Sequence, residues 1–320
     1  MAHKKIHHVK DHYINPFDDT VPGSLWSVLK WKLFSRNHFK PLYKKERELR
    51  VSIGWDAVTR SKGLSVTFLN HASVMIKDLD THILVDPVFF GLNFFIKDYS
   101  TLTDVVNKMP RPDHVLITHG HYDHLDKPSL AALDKATHLI APLGYSDIFD
   151  DLSMKNQTPL DWFDTFRQGK REMTLLPCRH WTMRNPIVGP NRSLWGSYLV
   201  KTAAGPTIYI SGDTAYFEGF REIGKEFTID LAIINLGAYS PRWFMKNTHM
   251  NPEETIQAFK NLGAKHLIIV HWGTFRLGND PAYLPPIDLK KALEKAGLLD
   301  AYIPLNHGET FYYPRDEAAV

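Results

Sequence analysis

A nine-residue stretch, THGHYDHLD at positions 118–126, constrains this chain more than any other feature. It places His119, His121, Asp123 and His124 at and directly after the end of HVLITH, a run whose β-branched residues predict a strand. Ionisable side chains are costly to bury unless they are paired, so a folding core has no use for this many together. Because side chains at a strand end can converge on one ion, the spacing predicts a metal site there.

Three further donors end other strand-like runs. His180 ends MTLLPCRH, Asp213 ends TIYISGD and His271 ends HLIIVH. Two metal ions need roughly six or seven protein ligands if positions are left for water, and this set matches that number. We therefore assign one ion to His119, His121 and His180 and the other to Asp123, His124 and His271, with Asp213 between the two ions.

The identity of the donors limits the identity of the metal. Imidazole nitrogen and carboxylate oxygen suit zinc, and they also suit iron or manganese. The set contains no cysteine, which argues against a closed structural zinc site. We expect two divalent ions as cofactors, zinc by preference, with iron and manganese as alternatives.

The composition fits a globular protein with a core of its own. Hydrophobic residues make up 43% of the 320 residues and charged residues 23%. Cys178 is the one cysteine, so no disulfide can form within the chain, and we expect a cytoplasmic location. The sequence contains no run of about 18 apolar residues and begins without the apolar stretch of a secretory signal. We therefore expect no membrane-spanning helix.

We divide the chain into a basic, aromatic lead-in, residues 1–50, and one domain, residues 51–320. The lead-in holds 11 Lys and Arg against 5 Asp and Glu, whereas the remainder holds 27 against 30. This asymmetry favours an anionic partner, nucleic acid or anionic lipid, and equally fits a solvated arm. In GSLWSVLKWKLFSRN a helix would align Leu25, Leu29 and Leu33 in one apolar stripe. Such a helix can lie on a membrane or pack onto the protein, and we favour packing.

Strand-like runs occur in both halves of residues 51–320, with helices between them. MNPEETIQAFKNLGAK predicts a helix with Asn251 as N-cap, Pro252 in the first turn, Glu254 completing a capping pair and Gly263 near the end. PPIDLKKALEKAGL predicts another helix. The pattern favours an α/β (α+β) protein in which sheets pack together with helices outside.

The donor set resembles the signature of the metallo-β-lactamase fold. That signature is His-x-His-x-Asp-His, then a lone His, a lone Asp and a final His, and this chain has all of them in order. The resemblance implies an αββα sandwich, two β-sheets face to face with outer helices. It also implies that Asp86 supports the ligand loop without binding metal and that His71 is structural. We expect four other histidines on the surface or in the core (His114, His138, His266, His307). For the N-terminal group we favour a disordered tail, with adventitious metal binding as the alternative (His3, His7, His8, His12).

Longer stretches resemble one branch of this fold, the N-acylphosphatidylethanolamine-hydrolysing phospholipases D. Asn70 stands where that branch has glycine, Cys178 and Arg179 precede the lone histidine, and the lead-in is shorter than in the animal enzymes. These departures concern the substrate rather than the metals. The stretches that carry the resemblance are CRHW (178–181), LWGSY (194–198), GDTAYF (212–217), GAYSPRWFMKNTHMNPEET (237–255) and HWGTF (271–275).

The resemblance implies a phospholipase D reaction. A hydroxide held between the metals would attack the phosphodiester of N-acylphosphatidylethanolamine and release N-acylethanolamine and phosphatidic acid. Asp123, Asp213 and His249 are the catalytic candidates, and His249 would polarise the phosphate or assist the leaving group, unless it only flanks the following helix. The apolar loops 88–99 and 239–246 either line an acyl channel or pack internally, and we favour the channel. Candidate substrate contacts are Tyr122, Phe94, Phe95, Trp243 and Phe244, with Arg184 and Arg242 as candidate phosphate contacts.

Two other functions stay open at this point. One is a soluble phosphodiesterase or lactonase of the same fold, although the apolar loops count against it. The other is a non-catalytic metal-dependent sensor or binding protein, although the full ligand set counts against it. We find no nucleic-acid recognition module. We therefore expect a phospholipid substrate, contact with the inner face of a membrane as an option, no nucleic-acid partner, and a homodimer as a further option.

Overall fold

The structure is a computed structural model that describes residues 6–17, 25–92, 96–103 and 105–314. Its strands in chain order are β1 (His8–Val9), β2 (His12–Tyr13), β3 (Leu49–Val51), β4 (Leu64–Asn70), β5 (Ser73–Asp78), β6 (Thr81–Val85), β7 (Ser100–Leu102), β8 (His114–Leu116), β9 (His138–Pro142), β10 (Gln157–Leu160), β11 (Thr165–Gln168), β12 (Arg171–Leu176), β13 (Ser197–Lys201), β14 (Thr207–Ile210), β15 (Leu231–Asn235), β16 (His266–Val270) and β17 (Thr310–Tyr312).

Helices connect or flank most of these strands. Short 3₁₀ helices cover Lys40–Lys45 and Leu299–Ala301. The α-helices are α1 (Leu25–Phe34), α2 (Trp55–Arg60), α3 (Val105–Lys108), α4 (Lys127–Ala131), α5 (Ser146–Asp151), α6 (Gly219–Glu226), α7 (Arg242–Met245), α8 (Pro252–Leu262) and α9 (Pro285–Ala296).

Two large mixed sheets form the centre of the described part of the chain. The first has seven strands in the order β10-β9-β8-β6-β5-β4-β17, and the second has six in the order β11-β12-β13-β14-β15-β16. Strands β6, β8, β9 and β10 run parallel, as do β14, β15 and β16. The carboxyl ends of parallel strands meet at one edge of a sheet, which is where ligands commonly bind in such folds.

Three apolar layers show how the sheets and helices pack. Phe68, Trp162 and Tyr198 belong to a buried cluster between the two sheets. A second cluster joins the outer face of the first sheet to α2, α4 and α5, and a third joins the outer face of the second sheet to α6, α8 and α9. Strands covered on both faces need continuous apolar runs, which explains LSVTFL and LAIIN. The predicted αββα sandwich is confirmed.

Helix α8 follows its sequence signals closely. Asn251 Oδ1 accepts a hydrogen bond from the Glu254 amide at 2.9 Å, and Glu254 Oε2 accepts one from the Asn251 amide at 3.1 Å. Gly263 ends the helix with φ of 62°, the left-handed conformation that glycine adopts without strain. The predicted capping pair and stop are confirmed, and they fix the backbone that follows His249.

The lead-in contacts the rest of the protein through several elements. Strand β3 pairs in parallel with β7, so the predicted boundary at residue 50 falls within a strand. Helix α1 packs through Trp31, whose Nε1 donates to Asn279 Oδ1 at 3.0 Å. The predicted apolar stripe is not the packed face, because Leu29 and Leu33 are exposed; the Leu25 side chain lies outside the described residues. Within the described residues, no helix has the length and apolar character to cross a bilayer.

Candidate metal centre

The candidate donors lie in loops that leave the carboxyl ends of strands in both sheets. His119, His121, Asp123 and His124 lie in the loop that follows β8. The other three lie beyond strands of the second sheet: His180 follows β12, Asp213 follows β14 and His271 follows β16. Because the sheets face each other, the loops meet over one edge of the sandwich.

The first donor cluster consists of His119, His121, His180 and Asp213. His121 Nδ1 lies 2.9 Å from His119 Nε2 and 3.2 Å from His180 Nε2. Asp213 Oδ2 lies 3.9 Å from the Nε2 atoms of both His119 and His180. The structure thus brings together the three histidines assigned to the first ion.

The second donor cluster contains the three residues assigned to the second ion. His271 Nε2 lies 3.4 Å from Asp123 Oδ2, and His124 Nε2 lies 3.7 Å from that oxygen. Asp213 also reaches this cluster, with Oδ2 3.3 Å from His124 Nε2 and Oδ1 3.2 Å from His271 Nε2. Asp213 therefore lies between the clusters, in the position expected of a shared ligand.

The donor geometry fits divalent metal ions. Zinc–nitrogen bonds of about 2.0–2.1 Å in tetrahedral geometry separate neighbouring ligand atoms by about 3.3 Å, which is close to the spacing in the first cluster. Buried polar atoms normally have hydrogen-bond partners. Yet His124 Nε2 and His271 Nε2 are buried, and neither makes a hydrogen bond of acceptable geometry with any described residue. Metal coordination would satisfy both nitrogens.

Hydrogen bonds on the far side of His124 and His180 fix the orientation of these two donors. Asp86 Oδ2 lies 2.7 Å from His124 Nδ1, and its carboxylate also accepts from the amide and hydroxyl of Thr118. His180 Nδ1 lies 3.1 Å from the Thr248 carbonyl oxygen. Such contacts select the tautomer of a metal-binding histidine and hold its ring. The supporting position expected for Asp86 agrees with these contacts.

Asn235 is a supporting residue that sequence reasoning missed. Its Nδ2 donates to Asp213 Oδ1 at 2.9 Å, and its amide donates to Ser211 Oγ at 2.9 Å. It ends LAIIN, a strand-end position equivalent to those of the donors. That position was the available signal, but an amide is a less conspicuous metal-site residue than a histidine or carboxylate.

His71 lies closer to the donors than expected. Its Nε2 is 2.9 Å from Asp123 Oδ2, and it belongs to one group with Asp123, His124 and His271. The His271 amide donates to the His71 carbonyl oxygen at 2.6 Å. Burial lowers the pKa of His71 to about 3, with a further contribution from His271, so its imidazole is neutral. His71 positions Asp123 and the His271 turn, which extends the structural role assigned from sequence.

The donors of the centre differ in charge, as their pKa values show. Burial lowers the pKa values of His119 and His180 well below the usual histidine range. Burial raises the pKa of Asp213, but His271 and His124 lower it by more, so the carboxyl stays ionised. Burial lowers the pKa of His124, yet Asp213 and Asp123 raise it well above its usual range. The carboxylates thus favour positive charge at this position, and a divalent ion would supply it.

His249 lies beside both clusters. Its Nδ1 is 4.0 Å from Asp213 Oδ2, and its ring centroid is 5.6 Å from those of His180 and His271. Burial lowers its pKa to about 4, against an opposing contribution from Asp213, so the imidazole is neutral near pH 7. A neutral imidazole at this distance can donate a hydrogen bond to a group bound at the metals.

The candidate substrate contacts do not all lie at the cleft. Tyr122 is exposed in the ligand loop, and its hydroxyl donates to the Arg184 carbonyl oxygen at 2.7 Å. Trp243 and Phe244 contact α1: Trp243 Nε1 donates to Ser35 Oγ, and the Phe244 ring stacks on Trp31. Phe94 and Phe95 lie outside the described residues.

Both arginines suggested for phosphate binding hold protein groups. Arg184 donates to the carbonyl oxygens of Gly120 and Leu125 at 2.9 and 2.7 Å, within the ligand loop. Arg242 donates to the His249 carbonyl oxygen at 2.9 Å and makes a bidentate pair with Glu254. Each arginine therefore stabilises a loop of the centre, and its contact with phosphate stays a prediction.

Comparisons with known proteins agree with this architecture. The model of a beta-lactamase superfamily domain matches residues 81–272. N-acyl-phosphatidylethanolamine-hydrolyzing phospholipase D 1 of Caenorhabditis elegans is 32% identical, over 73% of this chain and 70% of its own length. The mitochondrial phospholipase D of the same name from Saccharomyces cerevisiae is 32% identical, over 69% of this chain and 50% of its own length.

A solved structure adds support for the fold. The isothiocyanate hydrolase from Delia radicum gut bacteria superimposes with a TM-score of 0.64 over 78% of this chain and 99% of its own, at 17% identity. The chain belongs to the beta-lactamase superfamily, as its sequence signature indicated. Within that superfamily it is a metal-dependent hydrolase of the metallo-β-lactamase fold.

Proposed function

We propose that this hydrolase cleaves the phosphodiester of N-acylphosphatidylethanolamine and releases N-acylethanolamine and phosphatidic acid. The observation that carries the phosphodiester part is the pair of donor clusters joined by Asp213. The lipid part is supported by two relatives, each 32% identical and each named for this reaction.

The residues of the centre would divide the work between holding ions and handling the substrate. Two divalent ions bound here would make water more acidic and neutralise charge on a phosphodiester. Asp213 would keep the ions at one separation, and Asp123, held by His71, would fix the second position. His249, neutral and at the border of both clusters, would donate a hydrogen bond to a phosphate oxygen or to the departing oxygen.

We also propose that the surface of α1 contacts the membrane that contains the substrate. The side chains of Trp26, Leu33 and Phe34 are 80%, 70% and 81% exposed, and apolar side chains gain free energy on leaving water. Helix α1 lies next to the metal centre, since Trp31 stacks on Phe244 and helix α7, which contains Phe244, ends four residues before His249. A lipid bilayer is therefore the occupant that suits this apolar surface.

A cationic cavity beside α1 supports contact with anionic lipids in particular. The cavity has a volume of about 470 Å³, and its lining includes Lys32, Lys40, Lys97 and Arg276. Arg276 pairs with Glu46, and Lys97 pairs with Glu48 at 2.8 Å. The four cations exceed these two anions, so the cavity carries excess positive charge. A basic residue near an anionic membrane contributes about 1 kcal/mol of attraction.

The test of the proposed reaction is a product assay with purified, zinc-loaded protein. N-acylphosphatidylethanolamine in mixed micelles is the substrate, and mass spectrometry identifies the products. The His271→Ala variant lacks one donor, and a chelator-treated sample lacks the metal. His266→Ala, at the opposite end of β16, is the matched control. We expect wild type and His266→Ala to release N-acylethanolamine and phosphatidic acid, and His271→Ala and the chelator-treated sample to release neither.

Soluble substrates distinguish the other functions in the same assay. A nitrophenyl phosphodiester and a lactone are offered to the same preparations. Hydrolysis of either one without any lipid cleavage would replace the lipid proposal with a soluble phosphodiesterase or lactonase. Bound metal with no hydrolysis of any substrate would favour a sensor or binding protein.

A further inference from the structure

Outside the catalytic centre, a second set of metal-type donors lies at the edge strand of the seven-stranded sheet. His7, His8 and Asp161 bring three donor atoms within 4.8 Å of one another. His7 Nε2 is 2.7 Å from Asp161 Oδ1, and His8 Nε2 is 2.8 Å from Asp161 Oδ2. Asp161 directly follows β10, more than 150 positions along the chain from the two histidines. The sequence predicted a disordered tail for His7 and His8, and that prediction is wrong.

The backbone turns directly before β1, at the point where the two histidines stand. His7 lies in this turn and His8 is the first residue of β1. The Nε2 atoms of both residues reach the same carboxylate. Their ring centroids are 4.5 Å apart at 62°. Two imidazole nitrogens and one carboxylate therefore lie within reach of a single cation.

The surroundings hold the donors in place. The His7 ring packs on Trp162 with centroids 4.1 Å apart, and the Trp162 amide donates to Asp161 Oδ1 at 2.8 Å. His7 and Asp161 are buried, whereas the His8 side chain is 43% exposed. The site is therefore rigid on one side and open to solvent on the other, which lets an ion enter and leaves room for water as a further ligand.

We propose that His7, His8 and Asp161 bind a divalent transition-metal ion, with Zn²⁺ as the best match, separately from the catalytic centre. Two imidazole nitrogens and a carboxylate oxygen form a donor set that zinc accepts in tetrahedral geometry. Each histidine would bind the ion through Nε2 as a neutral imidazole, with its ring proton on Nδ1.

Such an ion would stabilise the segment of residues 6–17 against the loop that contains His180. The Tyr13 amide donates to the Asn191 carbonyl oxygen at 2.8 Å, and Asp11 pairs with Arg192. Asn15 Nδ2 lies 3.5 Å from the His180 carbonyl oxygen. The segment therefore crosses the whole loop from 180 to 192, and a metal bond at one end would hold it there.

The test compares zinc binding by the full-length protein and two single variants. His8→Ala removes the exposed donor, and His12→Ala removes an exposed histidine of the same hairpin whose only described partner is Asp11. Equilibrium dialysis against buffered Zn²⁺, followed by elemental analysis, counts the ions. We expect His8→Ala to bind about one equivalent less than the wild type and His12→Ala to bind as much as the wild type.

A second measurement follows the N-terminal segment itself. Zinc should slow proteolysis within residues 6–17 of the wild type and of His12→Ala, and should not do so in His8→Ala. Asp161→Asn keeps the shape of the side chain but removes its charge. Zinc should therefore fail to slow proteolysis in this variant, as in His8→Ala. Equal zinc content in all four proteins would overturn the metal site. A lost equivalent with unchanged proteolysis would retain the site and overturn its role in holding the segment.

Discussion

Proteins usually bury apolar side chains and expose ionisable ones, and the metal centre and helix α1 depart from this rule in opposite ways. The centre buries ionisable groups such as His119, His124 and Asp213, whereas α1 leaves Trp26 and Phe34 exposed. Buried charge and exposed apolar surface both cost free energy. The difference teaches that each region is adapted to a ligand, metal ions in one and, as we propose, lipid in the other.

The two regions also differ in how firmly they are held. In the centre, Asp86 and Thr248 contact the far side of a donor histidine, and Asn235 donates a hydrogen bond to the shared Asp213 carboxylate. In α1, Trp31 is the one buried hydrophobic side chain among those the structure describes. We therefore expect substitutions at the centre to change metal binding and chemistry, and substitutions on α1 to change association with membranes.

Removing the shared ligand should have the largest effect. Asp213→Asn takes one charged donor from both ions, and we expect kcat/KM to fall about 10³-fold because metal assistance contributes several kcal/mol to the transition state. Elemental analysis and the lipid assay measure metal content and activity together. Asp300→Asn, an exposed aspartate after α9, is the control. Wild-type metal content with wild-type activity in Asp213→Asn would remove Asp213 from the centre.

Weakening a supporting contact should have a smaller effect. Asp86→Asn removes the charge that Thr118 and His124 contact, and we expect metal affinity to fall about 10- to 100-fold with the fold retained. Competition with a chromogenic chelator measures this affinity. Asp126→Asn is the matched control, because Asp126 lies in the ligand loop with Thr118 and His124 but caps α4, a role that asparagine also fills. The prediction is contradicted by equal affinities of the two variants.

Changing the exposed face of α1 should leave the chemistry intact. We expect Leu33→Glu and Phe34→Glu each to weaken vesicle binding about 30-fold, because an apolar side chain of this size contributes about 2 kcal/mol when it leaves water. Hydrolysis of a soluble phosphodiester should stay at the wild-type rate. Co-sedimentation with vesicles that contain phosphatidylglycerol, and with vesicles of phosphatidylcholine alone, measures binding and its dependence on lipid charge.

The control for this prediction is an exposed leucine far from the centre. Leu79 lies in the turn between β5 and β6, at the end of β6 opposite Asp86. Leu79→Glu should bind vesicles as the wild type does. If all three variants bind alike, α1 is not the membrane-contacting surface, and its exposed side chains need another partner.

The sequence predicted the features whose signals are local. Four donors end strand-like runs, and the other three follow the first of these runs directly. The structure brings all seven donors together in two clusters. The helix at 252–262 has the capping pair and glycine stop that its residues predict. In both cases the deciding residues lie within a few positions of each other or at the end of an easily recognised strand.

Features that depend on packing between distant segments were not predicted correctly. The Leu29–Leu33 stripe of α1 suggested a packed face, but the protein surface beneath the helix accepts Trp31 instead. The contacts of Arg242 with Glu254 and the His249 carbonyl oxygen were not predicted either, because those groups approach its side chain only in the folded protein. Neither result follows from local pattern, because each depends on which groups the fold places opposite the side chain.

The sequence by itself determined which residues can bind metal and where helix α8 begins and ends, because donor type and helix capping depend on short-range chemistry. Its resemblance to a known signature implied the class of the protein and the sandwich architecture. The tertiary structure decided that His71 and Asn235 contact the carboxylates of Asp123 and Asp213, and that His7 and His8 meet Asp161. These contacts join residues far apart in the chain, and they exist only because the packing of two sheets brings their loops to one edge.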